Sequence, residues 1–495
     1  MKSSLCSFFV VALAMLTVVR AQQPADPAPA SPGGPATPPA GQKRKDVAAL
    51  KYAELCASCH GPNLQGGQAG SLLLPELVHG NDEASLMRSI RDGFPGKAMP
   101  AWGPVLSEGD IHALVVYLRE IRTGAQRPPT GSDTQIVPQG IQKSELHDYR
   151  IEVLLDTGAN LLSPWSFCFL PDGSILIADK KSPKISIYRN GTLVPEELKF
   201  PPTEALRDVR PHPDYAHNGW LYVLVSDTKE PEDEFLQLLR GHIRAGSLVD
   251  VEKLLTIPGS SFTGRLAFDD KGYVYIATGH TDSVKGQFMT YAQDLAKGTG
   301  KIHRIHDDGR IPADNPFVHQ PGALPSVWTR GHRIPEGLTF DRTTGELWAT
   351  EHGPRGGDEL NLIHGGGNYG WPLITYGMDY NGAPVSNQTA QDGMEQPVTY
   401  WTPSIAVSAI TFYEGKAFPQ WAHSLFVTSL KDQTLFRLVL DGHKVVHTET
   451  LLKNAGRLRD ITVGPDGYLY ILAELIDGAK GTVPKARLIR LVPAE

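Results

Sequence analysis

Two cysteines and a histidine stand together as Cys56-Ala57-Ser58-Cys59-His60. Thiols at this spacing share one helical turn and can add to the two vinyl groups of a haem, leaving the adjacent histidine beneath the iron. The other use of such a pair is half of a zinc site. Zinc needs two further ligands, and this region offers only His79 and His112, with no second cysteine pair. A haem iron held by His60 has a second face, and Met99 in Ala98-Met99-Pro100 is the candidate for it. A thioether opposite histidine raises the iron potential, which suits an acceptor of electrons. Met87 lies inside a helix-like run from Ala84 to Ile90 and reads as a core filler.

The elements that must position these residues follow from periodicity. Val47 to Leu50 leads as a helix into the cysteine motif, Glu83 to Arg91 forms a second, and Asp110 to Ile121 repeats apolar residues at helical spacing behind a Ser107 cap. A small all-α domain is therefore expected over residues 46–123. Before it, Lys2, the apolar run Leu5 to Val19 and Val19-Arg20-Ala21 read as a signal peptide over residues 1–21, which removes Cys6. The run is too short to span a bilayer, so no stable membrane insertion is expected after cleavage and the localisation is periplasmic or secreted. Residues 22–45 and 124–145 are rich in Pro, Ala, Gly and Gln, the composition of linkers. Cys168 has no partner for a disulfide and reads as a small buried side chain.

Beyond residue 146 the pattern changes to short strands around tight turns. Leu170-Pro171-Asp172-Gly173, Phe268 to Gly272, Phe340 to Gly345 and Gly464-Pro465-Asp466-Gly467 each precede an alternating strand, and related signals follow His212-Pro213-Asp214 and Phe418-Pro419. Six returns of one turn-then-strand unit predict an all-β six-bladed propeller over residues 146–495 rather than a pair of sandwiches. The chain of 495 residues is thus multidomain, and its net charge of -7 without a basic stripe argues against nucleic acid as a partner.

The haem motif, Met99-Pro100 and the closing Val116-Tyr117-Leu118 resemble those of small bacterial cytochromes c. Residues 150–492 resemble the soluble quinoprotein sugar dehydrogenases. The stretches that carry this second likeness are Gly264-Arg265-Leu266-Ala267-Phe268, Gly331-His332-Arg333, Glu351 to Glu359, Gly367-Asn368-Tyr369-Gly370-Trp371-Pro372 and Arg457-Leu458-Arg459-Asp460. The likeness implies pyrroloquinoline quinone (PQQ) and calcium above a central channel. By position it assigns Lys431, Arg457 and Arg459 as cations for the three carboxylates of PQQ, with Arg333 beside the cofactor and Trp401 stacked on its ring. The carbonyls of Gly353 and Pro354 match the calcium site, where the metal would act as a Lewis acid. Glu359 and Tyr369 match a second, structural calcium position.

The likeness breaks at the catalytic base. Where the family has a histidine this chain has Ser261, which has no proton affinity near neutral pH. The aspartate that orients the family's histidine corresponds to His280, which becomes the candidate base. Thr203 replaces a glutamine, Ile334 an asparagine and Glu336 a glutamine. The expected function is a periplasmic quinohaemoprotein dehydrogenase that oxidises an aldose or another alcohol or aldehyde and passes electrons through haem c to a downstream cytochrome or oxidase. The alternative is a non-catalytic propeller used for binding, fused to an electron-transfer cytochrome.

Overall fold

The computed structural model describes residues 46–126, 137–157, 161–227, 235–259, 263–280, 288–475 and 485–494. The signal peptide and first linker expected from the sequence lie outside these residues, as do Ser261 and residues 127–136 of the second linker.

The N-terminal part is helical. Helix α1 (Val47–Leu55) runs directly into the short α2 (Ala57–His60), followed by α3 (Glu83–Asp92) and α4 (Glu108–Gln126). The starts of α1, α3 and α4 are each fixed by a side chain that takes up a free backbone N–H. Asp46 accepts from Ala49 N at 3.0 Å, Asp82 from Ser85 N at 2.9 Å and Ser107 from Asp110 N at 3.1 Å. Ile111, Leu114, Val115 and Leu118 form one stripe of α4 and pack on Tyr52, Leu64, Leu86 and Ile90. At roughly 1.5–3 kcal/mol for each fully buried aliphatic side chain, this stripe is the main favourable term for a domain of this size. No helix among the described residues is long and apolar enough to cross a membrane.

The rest is a ring of six four-stranded antiparallel sheets. Their innermost strands are Pro164–Phe169, Ala205–Pro211, Thr263–Phe268, Pro335–Asp341, Val407–Phe412 and Arg457–Val463, numbered here as blades one to six. All six turn signals in the sequence fall in the connection between the first and second strand of a blade. The ring is closed by Tyr149–Thr157, which pairs with Lys485–Pro493 as the outermost strand of blade six. Neighbouring blades are stitched by buried carboxylates: Asp208 accepts from Leu266 N at 2.9 Å, and Asp460 from Phe167 N at 3.0 Å. Such charge-assisted bonds are worth about 1.5–3 kcal/mol each, and they tie strands far apart in the chain.

Five of the six inner strands lose register near their first residues. A bulge leaves one residue outside the ladder and re-aims its side chain. The residues passed over include Trp165, Arg207, Glu336 and Arg459. The backbone irregularity therefore turns three charged groups and an indole toward the same mouth of the channel.

Candidate active site

Around that mouth the side chains form one cluster. Lys180 Nζ lies 3.6 Å from the centre of the Trp165 ring, and the Arg459 guanidinium lies 4.7 Å from the same ring. Arg459 Nε donates to Glu474 at 3.0 Å, and Arg457 Nε reaches the same carboxylate oxygen at 3.3 Å. Arg207 Nε donates to Ser226 Oγ at 3.1 Å, and Arg265 spans the channel from Glu336 O (2.7 Å) to Arg459 O (3.0 Å). Burial, reinforced by Arg207, holds the Lys180 amine well below its usual range. Burial and then Arg459 lower Arg457 as well. Crowding cations in a desolvated space is unfavourable unless an anion joins them, so the cluster fits a multivalent anionic ligand. Two buried atoms of the same cluster, Trp165 Nε1 and Glu336 Oε1, have no hydrogen-bond partner. They are a donor and an acceptor available to such a ligand.

The other sequence candidates lie on or around the loop that follows the strand Glu346–Glu351. Arg333 is buried, and its Nη1 donates at 3.1 Å to the carbonyls of both His352 and Gly353. Gly353 N donates to Asp358 at 3.0 Å, and the buried Asp358 also accepts from Ser404 Oγ and Ile405 N. Gly357 N donates to Trp401 O at 2.9 Å, which brings Trp401 to the loop, where it is half-buried. Lys431 is exposed, its backbone N donating to Ile405 O at 3.0 Å. His280, half-buried at the end of the strand Tyr273–Gly279, donates its backbone N to Arg333 O at 3.1 Å.

Beneath the loop is a cavity of about 10 Å³, room for one small ion or water, lined by Arg333, Glu351, Gly353, Glu359 and Tyr369 among others. Burial, and then the neighbouring Glu351, push the Glu359 carboxyl well above its usual value, and a cation between them would relieve that. The Tyr369 hydroxyl donates to Leu362 O at 2.7 Å and accepts from His364 N at 2.8 Å, which leaves its main-chain carbonyl as the atom for a metal. Among the described residues no group of three or more His, Cys, Asp or Glu side chains is arranged for a metal, so a site here relies on carbonyl oxygens.

A larger cavity, about 560 Å³, opens at the opposite mouth between Phe169, Arg210, His212, Phe268, Phe340 and Asp460. Its charges are matched internally, Arg210 to Asp460 at 3.1 Å, and of the residues in the cation cluster only Arg265 reaches its lining. Volume alone does not make it the reactive mouth.

In the helical domain Cys56 and Cys59 are free, half-buried thiols. Burial, and then Cys59, push the Cys56 thiol up to about 11. His60 Nδ1 lies 3.3 Å from Gly70 O, a contact that orients the ring and leaves Nε2 for iron. Met99 packs against the helical core, with Phe94 N donating to its carbonyl at 3.0 Å. Gly93, at φ +60°, permits this: a Cβ there would meet Pro100 C at 2.5 Å. Free thiols, an oriented imidazole and a thioether beside one apolar cluster fit a covalent haem. Met87 borders the same cluster from α3.

Sequence reasoning passed over Trp165, Lys180, Arg207 and Glu474. Arg207 lay in a stretch that matches the family loosely, and the others carry no local signal.

The sequence pattern of the Glucose / Sorbosone dehydrogenase family matches residues 161–486. The chain belongs to that family. This dehydrogenase domain is preceded by a cytochrome c domain, since the pattern for cytochrome C oxidase, cbb3-type, subunit III matches residues 45–118. The aldose sugar dehydrogenase YliI of Escherichia coli is 36% identical over 345 residues, which is 66% of this chain and 91% of that one. The PQQ-bound aldose sugar dehydrogenase of Streptomyces coelicolor superposes with a TM-score of 0.54 at 25% identity, covering 69% of this chain and 98% of that one. The FixP subunit of the cbb3-type oxidase of Azorhizobium caulinodans is 38% identical over 97 residues, 19% of this chain and 31% of its own. As a glucose/sorbosone dehydrogenase family protein with a cytochrome domain, the chain is an oxidoreductase on the six-bladed propeller expected from its repeats.

Proposed function

We propose that this protein is an extracytoplasmic quinohaemoprotein dehydrogenase that oxidises an aldose or another alcohol or aldehyde and delivers electrons to its own haem c. The observation that carries the reading is the buried cation cluster at one mouth of the channel, next to a carbonyl-lined loop. Arg457, Arg459, Lys180 and Arg207, with Lys431 at the rim, would hold the carboxylates of PQQ. Trp401, or the newly found Trp165, would offer the aromatic plane, and the Gly353 and Pro354 carbonyls would bind calcium. When bound, calcium and the quinone supply a hydride acceptor polarised by a Lewis acid. Glu359 and the Tyr369 carbonyl would hold a second calcium in the small cavity.

The protein's own part is positioning and proton transfer. His280, beside Arg333, would accept the substrate hydroxyl proton on a ring nitrogen, a role Ser261 cannot fill. His60 and Met99 would ligate the haem iron, with Cys56 and Cys59 as thioethers. The signal peptide is consistent with this export, since attachment of haem c takes place outside the cytoplasm.

Thr203 Oγ1 already donates to Ser226 O at 2.8 Å, and the buried Ile334 brings no polar group. Both favour the second reading, a binding propeller without turnover. Apoprotein mixed with PQQ and calcium separates the two: a sugar and aldehyde screen read at the haem α-band gives reduction if the enzyme reading holds. Absence of PQQ binding at micromolar concentration removes it.

A further inference from the structure

The helical domain is not loosely tethered. Helix α4 is apolar on a second face, and Ala113 and Val116 from it join Ala48 of α1 and Met378 of the propeller in one buried cluster. Arg355, next in the chain to Gly353-Pro354, crosses to the helical domain and donates to Asp46 Oδ2 at 2.8 Å and Glu120 Oε2 at 2.5 Å. Burial opposes the Arg355 charge, but these two carboxylates outweigh it and raise its pKa. Val47 N donates to Asn381 O at 2.8 Å, and Gly109 N to Asn387 Oδ1 at 3.2 Å. The fit is close: a Cβ at Gly382 would lie 2.2 Å from Asp46 Oδ1, and one at Gly109 would lie 2.6 Å from Asn387 Oδ1.

These contacts come from the first turn of α1 and one face of α4, not from the segments carrying Cys56, Cys59 or Met99. Tyr117 of α4 packs against the shared cluster on one side and Tyr52 on the other, ring centres 5.7 Å apart. Tyr52 in turn donates its hydroxyl to Gly61 O at 2.8 Å, directly after the haem motif.

We infer that Arg355 is a positioning residue that seats the cytochrome domain on the loop bearing Gly353 and Pro354, so that electrons enter the haem from its α1/α4 side. This rests on the proposed quinohaemoprotein activity. Substrate oxidation releases two electrons and two protons; the ferric iron takes one electron per passage and becomes ferrous. Two passages are needed, with an external one-electron acceptor re-oxidising the iron between them and the protons leaving to solvent. The side with the thioether cysteines stays available for that acceptor.

The test uses full-length haem-containing protein and two variants, Gly109→Leu and the pair Asp46→Asn with Glu120→Gln. Leucine is a better helix former than glycine, so Gly109→Leu obstructs the seat without weakening α4, and an unchanged haem spectrum checks this. Small-angle scattering without PQQ should show a larger radius of gyration in both variants. With PQQ, calcium and sugar, stopped-flow haem reduction should slow by at least about tenfold once the acceptor is only tethered. Dye-linked turnover with dichlorophenolindophenol should stay within twofold of wild type. Unchanged scattering in both variants overturns the seating, and undiminished haem reduction in a released domain overturns the route. A wild-type protein that reduces no dye would defeat the catalytic reading and the route together, while scattering would still decide the seating.

Discussion

Replacing Arg459 by alanine separates charge from packing at the channel mouth. Its side chain is 10% exposed, and that of its partner Glu474 is 6% exposed. Removing the guanidinium leaves Glu474 paired with Arg457 Nε alone, at 3.3 Å. Breaking a buried pair from one side costs roughly 3–5 kcal/mol of stability. The effect on PQQ is separate: one charge-assisted bond to a carboxylate is worth about 1.5–3 kcal/mol, so affinity should fall roughly ten- to hundredfold. Glu474→Gln is the control, because it also breaks the pair but frees both arginines for the ligand. It should destabilise the fold while leaving PQQ binding as tight or tighter. Calorimetric titration of apoprotein with PQQ at fixed calcium, beside urea unfolding, measures both quantities. Should Arg459→Ala bind PQQ within twofold of wild type, or should both variants weaken it equally, the cluster is not a carboxylate cradle.

Three shorter predictions concern the other sites. Met99→Ala should lower the haem midpoint potential and give a high-spin optical spectrum, whereas Met87→Leu should leave both unchanged; the reverse pattern would move the sixth ligand to α3. His280→Ala should abolish turnover and leave PQQ affinity within a few-fold, as read by dye-linked assay and titration; full activity would remove His280 from the chemistry. His303 is buried, its Nε2 bonded to Gly298 O at 2.8 Å and its Nδ1 to Ser326 Oγ at 2.9 Å, and burial lowers its pKa to about 4. Its folded value lies below the unfolded one, so the unfolded chain binds more protons between pH 6.5 and 4, and stability falls as pH drops through that window. The loss is roughly 2–3 kcal/mol by pH 4.5, and urea unfolding should show it reduced in His303→Gln.

The haem motif and the turns were legible because their meaning is local. Two thiols and an imidazole within five residues must share a helical turn, whatever the rest of the chain does. Likewise each Pro-Asp-Gly turn needs only its own backbone conformation, and repetition of the unit announces the blades. Residues such as Gly353, Arg333 and Arg457 were reached through likeness to a family, not through any pattern of their own. Trp165 was missed because the inner strand Pro164–Phe169 reads as an ordinary buried run, and only its bulge turns the indole into the channel; Lys180 follows the next strand, Ile175–Asp179, with no signal of its own.

Helix α4 shows the boundary most clearly. Its apolar residues cover more of the circumference than one core needs, a surplus visible in Ala113 and Val116 beside Ile111, Leu114, Val115 and Leu118. The surplus says that a second surface covers the helix but does not say which.

By itself, then, the order of residues determined a helical haem-binding unit followed by six sheet units, because short-range geometry suffices for both. Closure of the ring decided the rest. It brought Lys180, Arg207, Glu336 and Arg459 to one mouth from four blades, while packing of the helical domain on the ring set Arg355 against Asp46 across more than 300 residues. No local spacing encodes such meetings, since they depend on how many sheets close the circle and on where each inner strand slips its register.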